Sequence, residues 1–128
     1  MKYQILVLDL DGTLTNSKKE ITEPTRKALI EIQQAGRIVV LASGRPINGV
    51  APLAKHLHMD EYGGYMLSFN GARITCCSTG EVVYDRALPD AVIRPVFDAV
   101  KTYPGTDIIT DTDTEILSGI CPNQYTAK

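Results

Sequence analysis

Ile5, Leu6, Val7 and Leu8 are apolar in succession, with no polar residue between them. An uninterrupted run of this kind predicts a strand over residues 3–10, buried on both faces as in a parallel sheet. The period then lengthens: Ala28, Leu29, Ile32 and Ala35 recur at helical spacing. Thr22 is placed as the N-cap of that helix, Pro24 is tolerated in its first turn, and Gly36 supplies the stop. Ile38, Val39, Val40, Leu41 and Ala42 predict a second buried strand. The turn Ser43-Gly44-Arg45-Pro46 follows and opens a helix carried by Val50, Leu53, Ala54 and Leu57. Pro52 is expected in that helix's first turn or at a kink. Gly63-Gly64 breaks the chain before a third strand over residues 65–69, which ends at Asn70-Gly71.

This β-α-β-α-β order predicts an α/β fold with a parallel sheet and right-handed crossovers. The pattern changes after Gly71. Segments 72–76 and 81–84 flank Ser78-Thr79-Gly80 as a β-hairpin. Residues 88–103 read as a helix with Val92, Val96, Ala99 and Val100 inward, its start delayed or its course bent by Pro95. Segments 107–111 and 114–117 read as short strands around a polar turn. The change divides the chain into residues 1–87, a sheet core with its hairpin, and residues 88–128, a second subdomain.

Composition narrows the function classes. The 128 residues are 44% hydrophobic and 22% charged, which supports a packed core and excludes a disordered chain. Net charge is −2, with basic and acidic residues well mixed, so neither nucleic acid nor an anionic membrane surface is an expected partner. Asp9 and Asp11 interrupt the first apolar run, which excludes a signal peptide, and no stretch has the length of a membrane span. Cys76, Cys77 and Cys121 form neither an even set nor C-x-x-C spacing, so they are expected as small apolar residues in a reducing compartment. A cytoplasmic protein is the expectation.

The polar residues of interest sit where the predicted strands end. Asp9 and Asp11 lie two apart, so in a strand they point to one face, with Leu8 and Leu10 on the other. Gly12 lets the backbone turn and approach a ligand closely. Two carboxylates beside exposed amides suit Mg²⁺ and a phosphoryl group. Asp9 has the chemistry of a nucleophile that forms an aspartyl-phosphate. Asp11 has that of an acid/base serving the leaving oxygen and then the hydrolytic water. Backbone amides from Leu10 to Gly12 suit phosphoryl oxygens. A calcium loop counted from Asp9 fails, because its sixth position is Leu14 rather than glycine and a strand precedes it.

Ser43 and the next amide, that of Gly44, suit a phosphoryl oxygen at a helix N-terminus. Taken alone, an N-cap serine explains Ser43, a surface ion pair explains Arg45, and turn formation explains Asn70. Together they occupy successive strand ends, where open α/β sheets bind ligands. His56 and His58 lie two apart, off a common helix face, and read as surface residues. Asp107, Asp111, Asp113 and Glu115 read as a solvated turn.

Asp9-Leu10-Asp11-Gly12-Thr13-Leu14 resembles motif I (DxDGT) of the haloacid dehalogenase superfamily. Leu41-Ala42-Ser43-Gly44-Arg45-Pro46 resembles its motif II. Phe69-Asn70-Gly71-Ala72 is similar to a segment of its Cof-like sugar-phosphatase branch. The resemblance implies a Rossmann-like core, a cap inserted after motif II, and Mg²⁺-dependent hydrolysis of small phosphate monoesters, often sugar phosphates. It implies Asp9 as nucleophile, Asp11 as acid/base, Ser43 as donor to a phosphoryl oxygen, and Arg45 and Asn70 near the substrate. The metal would be held by Asp9 and the backbone carbonyl of Asp11.

Members of this branch are longer. They carry a lysine (motif III) and a GDxxND-like acidic loop (motif IV) after the cap. The chain is therefore expected to be the N-terminal half of a core, with residues 88–128 the beginning of an α/β cap. With later strands missing beyond strand one, that strand becomes an apolar edge, which predicts either a marginally stable chain or a homodimer through strand pairing. Two other readings stay open at this point: a phosphomannomutase-like phosphotransferase, and a module that binds phosphate or a partner without turnover. A response-regulator receiver is weaker, because its phosphoacceptor should follow the third strand, where Asn70 stands.

Overall fold

A computed structural model describes residues 3–111 and 115–119. The chain divides into two compact units, one ending at Arg86 and the other beginning at Ala87. The sequence pattern puts the change one residue later.

In the first unit, β1 (Ile5–Asp9), β2 (Ile38–Ala42) and β3 (Tyr65–Ser68) are parallel neighbours. The hairpin β4 (Arg73–Cys76) and β5 (Val82–Asp85) extends the same sheet antiparallel, giving the order β1-β2-β3-β4-β5. α1 (Glu23–Gln34) connects β1 to β2, and α2 (Ile47–His56) with the short α3 (Met59–Tyr62) connects β2 to β3. Register aligns the strand ends: Asp9 pairs with Ala42, and Ala42 with Leu67. The loops after all three strands therefore leave the sheet at one level.

The core lies around β2. Leu10, Leu14, Leu29, Val39, Leu41, Val50, Ala54, Leu57, Met59 and Met66 form one buried cluster. The expectation that β1 is buried on both faces is overturned. It is the sheet's edge, and Ile5, Leu6 and Val7 are all exposed, so both its faces are open. The apolar run does form a strand, but its burial depends on what lies beyond it.

The inward face of α1 also differs from the predicted stripe. Leu29 and Gln33 are buried and Ile32 half-buried, while Ala28 and Ala35 are exposed. Gln33 is satisfied in the core by donating from Nε2 to the carbonyls of Leu29 (3.2 Å) and Leu57 (2.9 Å). Thr22 occupies the N-cap position, but its hydroxyl meets that of Thr25 at 2.9 Å instead of capping a backbone amide. Pro52 stands in the second turn of α2 rather than the first, on the exposed side.

In the second unit, α4 spans Asp90–Val100 and continues through Pro95. β6 (Ile109–Asp111) and β7 (Ile116–Ser118) pair antiparallel. The predicted inward set holds only in part here. No residue of α4 is buried, Val92 and Val96 are exposed, and Phe97 and Val100 are half-buried. Val96 lines an open apolar cleft of about 470 Å³ together with Leu88, Ile93, Phe97, Ile108 and Leu117. Asp113, Thr114 and Cys121 lie outside the described residues. Among the described residues, no helix is long and apolar enough to cross a membrane.

Candidate active site

The first loop is organised around one carbonyl. Leu10 O accepts from the amides of Leu14 (3.1 Å) and Thr15 (2.9 Å) and from the Thr15 hydroxyl (2.9 Å). Gly12 permits the tight turn with φ +81°, a backbone conformation in which a side chain is strained. Leu10 and Leu14 point into the core, fully buried and 5% exposed respectively, and Thr15 is buried with them. The two leucines thus anchor the turn, and the residues between and before them, Asp9 and Asp11, are left on the solvent side.

The second and third loops are tied to each other. Ser43 N donates to Leu67 O (2.9 Å), Asn70 N to Ser43 O (3.1 Å), and Phe69 N to Arg45 O (3.0 Å). Phe69 and Asn70 both take positive φ, +53° and +55°, before Gly71 at +86°. Successive non-glycine residues in the left-handed region are costly and persist where surrounding contacts fix them, commonly at functional sites. The bend lays the Asn70 side chain over Gly44. A Cβ on Gly44 would stand 3.0 Å from Asn70 Oδ1, so glycine is the residue that lets these loops close.

Asp9, Ser43, Gly44, Asn70 and Gly71 line a cleft of about 310 Å³ at these strand ends, with Ala42 and Leu67 as its floor. The structure brings five predicted or adjacent site residues together there. Ser43 is 9% exposed, and its Oγ accepts from Arg45 N at 3.2 Å, which leaves the hydroxyl proton available to a ligand. Among the described residues, the Asp9 carboxylate has no hydrogen-bond or ion-pair partner.

Asp11 differs. Its Oδ2 accepts from Arg45 Nε at 3.1 Å, and its Oδ1 accepts from Arg45 Nη2 at 2.6 Å and from Lys19 Nζ at 2.7 Å. Hydrogen bonds from Lys19 and then Arg45 hold the Asp11 carboxyl below its ordinary value. Arg45 is itself aimed by the helix it opens: Nη1 donates to Gly49 O at 3.3 Å, and its stem lies against Gly49. Lys19 was not among the predicted site residues. Its contact with Asp11 closes across eight residues through an irregular loop, for which periodicity carries no signal.

Mg²⁺ takes oxygen donors, commonly one or two carboxylates completed by water and substrate phosphate. The partner-free Asp9 carboxylate in the cleft, followed by the sharp turn at Gly12, fits such an ion. Among the described residues no group of three or more His, Cys, Asp or Glu side chains gathers. His58 bonds Arg26 Nη2 (3.0 Å) and Glu61 Oε1 (2.9 Å), the surface role expected for it.

The chain is similar in sequence and fold to known proteins. Residues 6–120 match the family of haloacid dehalogenase-like hydrolases. The chain is 40% identical over 96 residues to the Bacillus subtilis (strain 168) protein named "Putative phosphatase YxeH", covering 75% of this chain and 36% of that protein. It superposes with a TM-score of 0.83 and 46% identity on a haloacid dehalogenase-like hydrolase from Bacteroides thetaiotaomicron, over 91% of this chain and 44% of the other. It superposes with a TM-score of 0.73 and 25% identity on the subclass IIB sugar phosphatase BT4131, over 97% and 46%. The chain spans roughly a third of the length of the curated relative and under half of each solved structure. Motif, sheet and relatives agree, and the chain belongs to the haloacid dehalogenase-like hydrolase family.

Proposed function

We propose that this chain carries the nucleophile half of a Mg²⁺-dependent, cytoplasmic phosphatase acting on small phosphate monoesters, sugar phosphates foremost. The observation that carries the reading is the partner-free Asp9 carboxylate, held in the cleft beside Ser43. The sugar phosphatase among the solved structures supports the substrate class.

The carboxylate of Asp9 attacks phosphorus while the bond from phosphorus to the ester oxygen breaks. Asp11 gives its proton to the departing oxygen. Water then attacks the aspartyl-phosphate, its proton passes to Asp11, and phosphate leaves with the Asp9 carboxylate restored. Ser43 and the Gly44 amide bind a phosphoryl oxygen, and Asn70 borders the same space. In the free site Lys19 and Arg45 both bond the Asp11 carboxylate and hold it below its ordinary value, and an anionic substrate would compete with Asp11 for them. Asp9 and the Asp11 carbonyl would hold Mg²⁺, which supplies positive charge against the repulsion between nucleophile and phosphate.

The test is phosphate release from sugar phosphates with Mg²⁺. Asp9→Asn is expected to lower the rate at least about a thousandfold, as loss of a nucleophile does. Undiminished release would sink the assignment. A second reading, phosphate binding without turnover, is favoured by the two cations bonded to Asp11. It predicts equal and negligible release by both proteins while each binds phosphate.

A further inference from the structure

The loop between β1 and α1 is built around Lys19. Asn16 Oδ1 accepts from the amides of Lys18 (2.8 Å) and Glu20 (3.1 Å), Lys19 N donates to Asn16 O (2.9 Å), and Asn16 N to Glu20 O (3.0 Å). Ile21, buried at its far end, ties the loop to the core. Lys19 takes φ +63°, a backbone conformation that side chains rarely adopt. This turn closes through Asn16 and the backbone, and it directs Lys19 back across the loop to Asp11.

Lys19 Nζ and Arg45 Nη2 then share a single oxygen, Asp11 Oδ1. Asp11 thus faces two cations, while Asp9, two residues before it, has no such partner among the described residues. The Lys19 side chain is 63% exposed, and a pair this exposed holds weakly and exchanges readily for a better anion. Arg45 is braced by Gly49 O, whereas among the described residues the Lys19 ammonium bonds Asp11 alone.

We propose that Lys19 is a specificity-determining residue: it seats a second negative group adjacent to the scissile phosphate. The favoured substrates are diphosphates, or phosphate esters with a neighbouring acidic group, over esters with a neutral leaving group. This deepens the phosphatase reading and rests on it. Asp9, Ser43 and Asn70 serve the scissile phosphoryl group, and Lys19 serves its anionic neighbour.

The experiment is calorimetric titration of the protein, with Mg²⁺ in excess, by two stable probes: methylphosphonate, with one anionic group, and methylenediphosphonate, with two adjacent ones. Lys19→Met is expected to weaken methylenediphosphonate about fivefold and methylphosphonate by less than about twofold, the range of an exposed charge contact. Lys19→Arg should restore the preference. Equal weakening of both probes, or of neither, overturns the inference while leaving the phosphatase reading intact. Failure of the wild-type protein to bind either probe overturns both.

Discussion

β1 and β2 lie side by side in register, five residues each, and their sequences differ little in character: Ile-Leu-Val-Leu-Asp against Ile-Val-Val-Leu-Ala. Their environments are opposite. Val39 and Leu41 are fully buried, while Ile5 and Val7 are each 56% exposed. A strand's apolar run states that it can be buried on both faces. Whether it is depends on a neighbour on each side, and β2 has two where β1 has one. The same contrast separates the two units: the described buried core belongs to the first, while α4 in the second buries no residue.

The sharpest way to break the comparison is to shorten one apolar side chain on each strand. Leu41→Ala should destabilise the first unit by about 3 kcal/mol, since transfer and cavity terms add in a packed core. Val7→Ala, at an exposed edge position, should cost less than about 0.5 kcal/mol. Denaturant unfolding of both variants measures the difference, and equal losses would refute the view that β1 and β2 differ in burial.

A smaller effect tests what the open edge does. We propose that residues 1–128, prepared as they stand, self-associate by pairing β1 with β1 of a second copy, since unpaired edge groups beside apolar side chains template further strands. Val7→Lys should lower the association constant about tenfold by placing a charge on the edge. Light scattering that finds a monomer at high concentration removes the proposal.

The smallest effect lies in two adjacent thiols at the end of β4. The Ser78 hydroxyl, 3.3 Å from Cys76 Sγ, and then Thr79 lower the Cys76 thiol to about 7. Burial pushes its neighbour Cys77 up to about 12, and Cys77 packs against the core cluster. A thiolate is the reactive form. Alkylation of Cys76 should therefore rise with pH through a midpoint near 7, with Cys77 unreacted below pH 9. Ser78→Ala should move the midpoint upward. Equal labelling of both cysteines at pH 8 would contradict the assignment.

Much of the site was legible because its residues sit in short, local patterns. Asp9, Gly12, Ser43, Gly44 and Asn70 each follow an apolar run that predicts its own strand, and register brings the ends together. The Arg45 contact with Asp11 spans 34 residues and depends on the first turn of α2 being braced at Gly49. Lys19 was not legible, because its position depends on a left-handed residue in an irregular loop. Gln33 was hidden for a different reason: a polar residue enters the core when two carbonyls await it, and these come from Leu29 and from Leu57 on a different segment.

By itself the sequence determined the order of elements, the α/β class, the family, and the placing of two carboxylates at a strand's end. These follow from the period of side chains along a backbone and from the turns that glycine permits. Tertiary structure decided which apolar strand is covered, and which carboxylate stands apart and which is held between two cations. Burial and ion pairing depend on groups distant in the chain, and Asp9 and Asp11, two residues apart, differ because Arg45 and Lys19 reach one of them.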